Sequence, residues 1–222
     1  ADFIRGLNRL KFDELFLHQV RTGMIRNERQ QHSHGVVFKK VGTLFNEFYS
    51  KSLPFELTDA QKRVIREIRK DVANGRQMNR LLQGDVSSGK TMVALLIMLL
   101  AADNGYQSCL LAPTEILSKQ HADQFDELLK GLPLKTALLT GSVKSKNRKK
   151  ILEELKDGTI NILIGTHAVL EDPVQFKNLG LAVIDEQHRF DVAQRARPWK
   201  KAALPPHILA ITATPIPRTR AM

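Results

Sequence analysis

Two glycines five positions apart, followed at once by a lysine and a threonine, give Gly84-Asp85-Val86-Ser87-Ser88-Gly89-Lys90-Thr91 a specific chemical capability. A turn of this kind aims successive backbone N–H groups at phosphate oxygens. Lys90 adds a point charge for the β and γ phosphates, and the Thr91 hydroxyl can reach Mg²⁺. The loop leaves a short apolar stretch and opens a long one, as that mechanism requires. Further on, Asp185-Glu186-Gln187-His188 closes the apolar run 181–184. A carboxylate at the carboxyl end of a strand is placed to hold a cation, and a second beside it can polarise an attacking water. Asp185 is therefore assigned to the metal, Glu186 to general-base duty, and Lys90 to the phosphates. By itself an Asp-Glu pair after a strand is usually a solvated turn; the phosphate loop in the same chain gives it meaning.

These groups meet only if strands carry them to one edge of a sheet. Thr58 is a good N-cap for a helix that Gly75 would stop. Short apolar runs predict strands at 80–83, 108–112, 136–140, 160–165, 181–185 and 208–212, with helices at 90–104, 114–130 and 144–157. Strands alternating with helices of this length need crossover connections, so the expected fold is α/β, a doubly wound, mainly parallel sheet. Residues 1–54 have a different texture. There the pattern suggests a helix, a polar break over 26–35 and a second helix near 43–50, with Pro54 as the boundary. The expected organisation is a helical connector over 1–54 and a lobe over 55–222.

The chain has 222 residues and 42% apolar residues, enough for a substantial core and too ordered in pattern for a disordered segment. Its longest apolar run, 92–102, falls well short of the roughly 20 residues that span a membrane. The single cysteine, Cys109, cannot make an internal disulfide, so a soluble protein of a reducing, cytoplasmic compartment is expected. Lys and Arg number 34 against 23 Asp and Glu, a net charge of +11, and an anionic polymer is a natural partner. His32 and His34 lack further ligand-spaced residues and read as a solvated loop. The lysine-rich stretch 144–150 reads as a solvated helix face, one that could attract phosphate if the partner is DNA.

The phosphate loop, DEQH and Thr212-Ala213-Thr214 together resemble the first motor lobe of superfamily-two helicases, a RecA-like nucleotide-hydrolase fold. More narrowly, QMNRLLQGDV at 77–86, APTEIL at 112–117, Gly165-Thr166-His167-Ala168, the segment 185–190 and TATPIPRT at 212–219 resemble the RecG-type ATP-dependent DNA helicases. The transcription-repair coupling translocases share TATPIPRT but are less similar around Gln83 and Gln187. The resemblance runs through 55–222, and segments 9–16 and 41–55 are similar to the connector preceding the motor.

The resemblance implies ATP and Mg²⁺ as cofactors, with Phe55 and Gln61 recognising the adenine. It implies that Pro113, Thr114, Glu115, Thr140, Gly141, Gly165, Thr166 and His167 lie along the nucleic-acid strand. Backbone N–H groups and small hydroxyls there suit phosphate contacts that ignore sequence. Gln187, His188, Thr212 and Thr214 would couple the nucleotide site to strand movement. Taken alone, Phe55 reads as a core aromatic and Thr114 as a helix N-cap. For the whole protein the resemblance implies remodelling of forks and Holliday junctions in a bacterial, nucleoid-associated setting, with single-stranded-DNA-binding protein a further partner. A wedge domain and a second lobe carrying the catalytic arginine would be supplied from outside this segment, which is expected to be inactive alone. Three positions depart from the family pattern: Ser87 and Asp191 stand where Gly is usual, and Arg220 where Leu is usual. A positive φ at Ser87 would strain the loop.

Two other readings fail on residues. A GTPase needs a guanine-reading Asn-Lys-x-Asp, which is absent from the sequence, and a DNA-binding module with a vestigial nucleotide site would have lost Lys90 or Glu186, both present. The charge generates a test. Binding to duplex DNA is expected to be weak, equal for unrelated sequences and steeply weakened by salt, because cations displace counterions without reading bases. Fluorescence anisotropy on two duplexes at two salt concentrations checks this, and salt-independent affinity contradicts it.

Overall fold

Strand β5, Leu179–Asp185, ends on the carboxylate assigned to the metal, and its residues before Asp185 are all buried. A strand of that kind needs strands on both sides and helices on both faces. The computed structural model describes residues 2–32, 34–185 and 204–213. In chain order its elements are α1 (Asp2–His32), α2 (Thr43–Glu47) running into a π turn (Phe48–Ser52), α3 (Asp59–Val72), β1 (Asn79–Gln83), α4 (Lys90–Asp103), β2 (Gln107–Leu111), α5 (Glu115–Leu128), β3 (Thr136–Leu139), α6 (Ser145–Asp157), β4 (Ile162–Gly165), a 3₁₀ turn (His167–Leu170), β5 and β6 (His207–Thr212). The strands make one sheet in the order β1-β6-β5-β2-β4-β3, and every pairing is parallel. The expected doubly wound sheet is the one that forms.

Alternate side chains along the strands enter two cores, as a two-residue repeat requires. Leu110, Leu181, Val183, Leu209 and Ile211 join α3 and α4 in one. Cys109, Leu111, Leu163, Ala182 and Ile184 join Leu155 of α6 in the other. Helix α4 has no polar face between Met92 and Ala101, and all those residues are buried. It is the central helix, lying against β2, β5 and β6.

The chain forms two units, Ala1–His34 and Gly35–Met222. The first contains α1, which runs unbroken to His32, so the polar stretch from residue 26 does not break the helix where expected. Arg, Asn, Glu and Gln are compatible with a helix, and polarity alone is not a stop signal. On α1, Leu10, Phe12, Leu15, Phe16 and Leu17 are exposed, with the rings of Phe12 and Phe16 stacked at 5.8 Å.

The second unit begins before Pro54, because residues 35–54 share the main core. Phe38 and Phe48 are fully buried in it. The Asp103 carboxylate at the end of α4 accepts N–H bonds from Gly42, Leu44 and Phe45 at 2.9–3.0 Å. A Cβ at residue 42 would come within 2.4 Å of that carboxylate, so this approach needs glycine. Asn104 adds a reciprocal pair with the backbone of Lys40.

His207, at the start of β6, joins this segment to the sheet. Its ring stands edge-on to Phe38 at 4.9 Å, and Nδ1 accepts the Met78 N–H at 3.0 Å. Burial lowers its pKa to about 4, partly offset by the backbone of Val36 and Val72. The imidazole is therefore neutral in the fold but protonates in the unfolded chain below about pH 6.5. Stability is expected to be undiminished by this group above pH 6.5 and to fall by about 1.4 kcal/mol per pH unit from there toward pH 4. Urea unfolding of wild type and His207→Asn across that window tests the assignment. Equal pH slopes in the two proteins would show that His207 is not responsible.

Candidate nucleotide and nucleic-acid site

The carboxyl ends of all six strands lie on one edge of the sheet. Register pairs Gln83 with Thr212, Asp185 with Ile211, and Leu111 with Gly165. β6 alone separates the strand that feeds the phosphate loop from the strand that ends on Asp185. At the usual strand spacing that is roughly 10 Å.

Gly84 continues the ladder, donating its N–H to Thr212 O at 3.3 Å, and the chain then turns. Two residues take left-handed conformations there: Ser87 at φ 65° and Gly89, the N-cap of α4, at φ 75°. Ser87 is the one non-glycine residue with positive φ among the described residues. The loop closes on itself through Ser88 N–H to Asp85 O at 3.1 Å. The Lys90 ammonium donates to Gly84 O at 2.9 Å, to Asp85 O and to Ser88 Oγ at 3.3 Å. Val86 is exposed at the tip of the turn.

Gln61 has both ends of its amide engaged. Its Oε1 accepts Thr58 N–H at 2.8 Å and its backbone N–H donates to Thr58 Oγ1 at 3.2 Å, a reciprocal capping box for α3. The amide Nε2 donates to Ser88 O at 2.9 Å, across to the phosphate loop. A Cβ on Gly89 would fall 2.4 Å from that nitrogen. The residue expected to read adenine thus also braces the loop against α3. Phe55, the expected aromatic partner, is about half exposed.

Asp185 meets a residue that the sequence reading did not single out. His121 of α5 places Nε2 2.9 Å from Asp185 Oδ2, and both side chains are largely buried. No spacing rule links positions 64 residues apart. Thr91 and Asp185 offer a hydroxyl and a carboxylate, hard oxygen donors of the kind Mg²⁺ takes together with substrate phosphates. Among the described residues there is no group of three or more His, Cys, Asp or Glu that could hold a metal by itself. Glu186, Gln187, His188, Asp191, Thr214 and Arg220 lie outside the described residues.

The loops after β2, β3 and β4 carry the residues expected along the nucleic acid. Thr114 caps α5, its Oγ1 accepting Leu117 N–H at 3.3 Å, and Pro113 beside it is half-buried. Glu115 turns to the neighbouring loop: its carboxylate accepts from Ser142 Oγ at 2.8 Å and from Ser142 N–H at 3.3 Å. Ser142 also pairs with buried Thr140 at 2.9 Å, leaving Gly141 exposed between them. Glu115 therefore ties two expected contact segments together. A Cβ at Gly165 would lie 2.0 Å from Leu139 O, so glycine lets β4 and β3 close there. Thr166 is buried and opens the 3₁₀ turn, whose His167 is exposed.

Comparison with known proteins adds relatives. A DEAD/DEAH box helicase family model matches residues 58–222. The chain is 47% identical to the ATP-dependent DNA helicase RecG of Synechocystis over 214 residues, covering 96% of the chain and 26% of that protein. For the protein of the same name from Bacillus subtilis the identity is again 47%, over 96% of the chain and 31% of the relative. A solved structure of RecG bound to a three-way DNA junction superposes with a TM-score of 0.80 at 43% identity, over 96% of the chain and 28% of that structure. A DEAD box protein from Methanococcus jannaschii shares the fold at a TM-score of 0.62 and 23% identity, over 82% of the chain and 50% of that structure. The chain spans about a third or less of the curated relatives it matches.

The strained loop residue offers a direct measurement. A non-glycine side chain in the left-handed region costs on the order of 1–2 kcal/mol, and glycine returns up to about 1 kcal/mol of that through unfolded-chain entropy. Ser87→Gly is therefore expected to stabilise the protein by about 0.5 kcal/mol in urea unfolding, and Ser87→Val to destabilise it by more. Destabilisation by glycine would contradict the strain assignment.

Proposed function

The chain belongs to the DEAD/DEAH box helicase family, and from that membership we propose that it is the ATP-binding half of a RecG-type DNA motor. The observation that carries the reading is the placement of the phosphate loop and Asp185 at the same edge of the sheet, on strand ends separated only by β6. The backbone N–H groups of 84–91 and the Lys90 ammonium hold the ATP phosphates. Thr91 and Asp185 hold Mg²⁺, which when bound neutralises charge on the transferred phosphate. Glu186 accepts the proton of the attacking water. Phe55 and Gln61 meet the adenine, and an adenine on the Gln61 amide would be sensed by the phosphate loop through Ser88.

DNA runs over the loops at the carboxyl ends of β2, β3 and β4. Pro113, Thr114, Thr140, Gly141, Gly165, Thr166 and His167 face its backbone, and Glu115 sets the shape of that surface. Its partner DNA is branched or duplex and is recognised without regard to sequence, which the net charge of +11 supports. Gln187, His188, Thr212 and Thr214 couple hydrolysis to movement along the strand. In the whole protein a wedge domain and a second lobe complete the machine, which remodels forks and Holliday junctions in the bacterial cytoplasm, close to the nucleoid. Single-stranded-DNA-binding protein is a further partner of that assembly.

The phosphate loop is the point at which this reading is tested. Lys90→Ala is expected to abolish Mg·ATP binding in titration calorimetry and to leave urea unfolding within about 1 kcal/mol of wild type. Equal affinity for wild type and variant would remove the basis of the proposal.

A further inference from the structure

The Asp185 carboxylate is held by a residue from a different crossover. His121 sits on the second turn of α5, and its Nε2 lies 2.9 Å from Asp185 Oδ2. The two side chains are 12% and 17% exposed, so water competes little for this bond. A carboxylate that accepts this bond takes it from the imidazole, and the donor is then Nε2–H. Phe125, one turn further along α5, supports the ring with centroids 6.3 Å apart. The described residues give Asp185 Oδ1 no hydrogen-bond partner.

A terminal carboxylate torsion is broad and does not choose an orientation by itself. Mg²⁺, by contrast, demands near-ideal octahedral geometry and keeps few protein ligands. We infer that His121 is a positioning residue for the cation site: its Nε2–H holds Oδ2 of Asp185 and presents Oδ1 as the oxygen available to the metal. The inference rests on the assignment of Asp185 to Mg²⁺ proposed above. Hydrogen-bond partners of metal ligands typically set metal affinity by about 10–100-fold, and His121 is the residue in that place here.

The test uses Mn²⁺ as the probe, titrated in the presence of saturating ADP and read by electron paramagnetic resonance. His121→Phe keeps an aromatic ring beside Phe125 and removes the donor. It is expected to weaken Mn²⁺ binding about 10-fold or more, with ADP affinity in EDTA unchanged. His121→Gln, which restores an N–H donor, is expected to recover most of the loss. Against Asp185→Asn, adding His121→Phe should produce no further weakening. Wild-type Mn²⁺ affinity in His121→Phe, or an equal additional loss in the Asp185→Asn background, would overturn the inference and leave the Asp185 assignment standing. Identical Mn²⁺ binding by wild type and Asp185→Asn would overturn both. A measurement on the unaltered protein covers the case in which the phenylalanine variant does not fold: ¹⁵N NMR is expected to find the His121 proton on Nε2. A proton on Nδ1 alone would exclude the donor role.

Discussion

Parallel strands can be joined only by crossovers, and the crossover that follows the phosphate loop is apolar on all sides. Helix α4 must therefore be covered completely, which places it beneath the middle of the sheet, against β2, β5 and β6. Its first residue is Lys90, so burying the helix also anchors one end of the phosphate loop. Because the chain passes from β1 to β2 with β6 and β5 later filling the gap, the phosphate loop and Asp185 leave the same edge of the sheet with one strand between them. The position of the loop 84–89 thus follows from the burial of one helix.

Around that crevice the polar groups form a connected set in which several side chains serve two elements at once. Gln61 closes the capping box of α3 and bonds the loop at Ser88. Glu115 belongs to α5 and shapes the turn after β3 through Ser142. His121, also on α5, reaches the end of β5. Each of these side chains therefore links the element that carries it to a neighbouring one. The lysine of the phosphate loop is held by acceptors within the loop itself, at Gly84, Asp85 and Ser88.

Two of the expected elements could be read as short strings. The strand expected at 181–185 is present as Leu179–Asp185, and the helix expected at 90–104 as Lys90–Asp103. Both are legible as uninterrupted apolar runs: 181–184 is short and closed by Asp185-Glu186, and 92–102 is long and bounded by Gly89 and Gly105. The boundary at Pro54 was less legible. Residues 35–54 are poor in apolar periodicity, yet Phe38 and Phe48 are buried in the main core, Phe38 against Tyr106 and His207, and Asp103 caps α2 from the far end of α4. The polar run after residue 25 was read as a break, but its residue types are good enough helix formers to continue α1.

From sequence alone came the chemical groups: a loop with the phosphate-binding pattern, a carboxylate at a strand end, an excess of cations and an alternation that forces a parallel sheet. Each of these is a property of neighbours along the chain, where spacing determines which groups share a turn or a face. The tertiary structure alone decided which side chains complete those groups. The order β1-β6-β5-β2-β4-β3 brings His121 to Asp185, Ser142 to Glu115 and Ser88 to Gln61, pairs separated by 64, 27 and 27 residues. Such pairs depend on which strand each crossover returns to, and that is settled by burying the apolar helix and both faces of the sheet together.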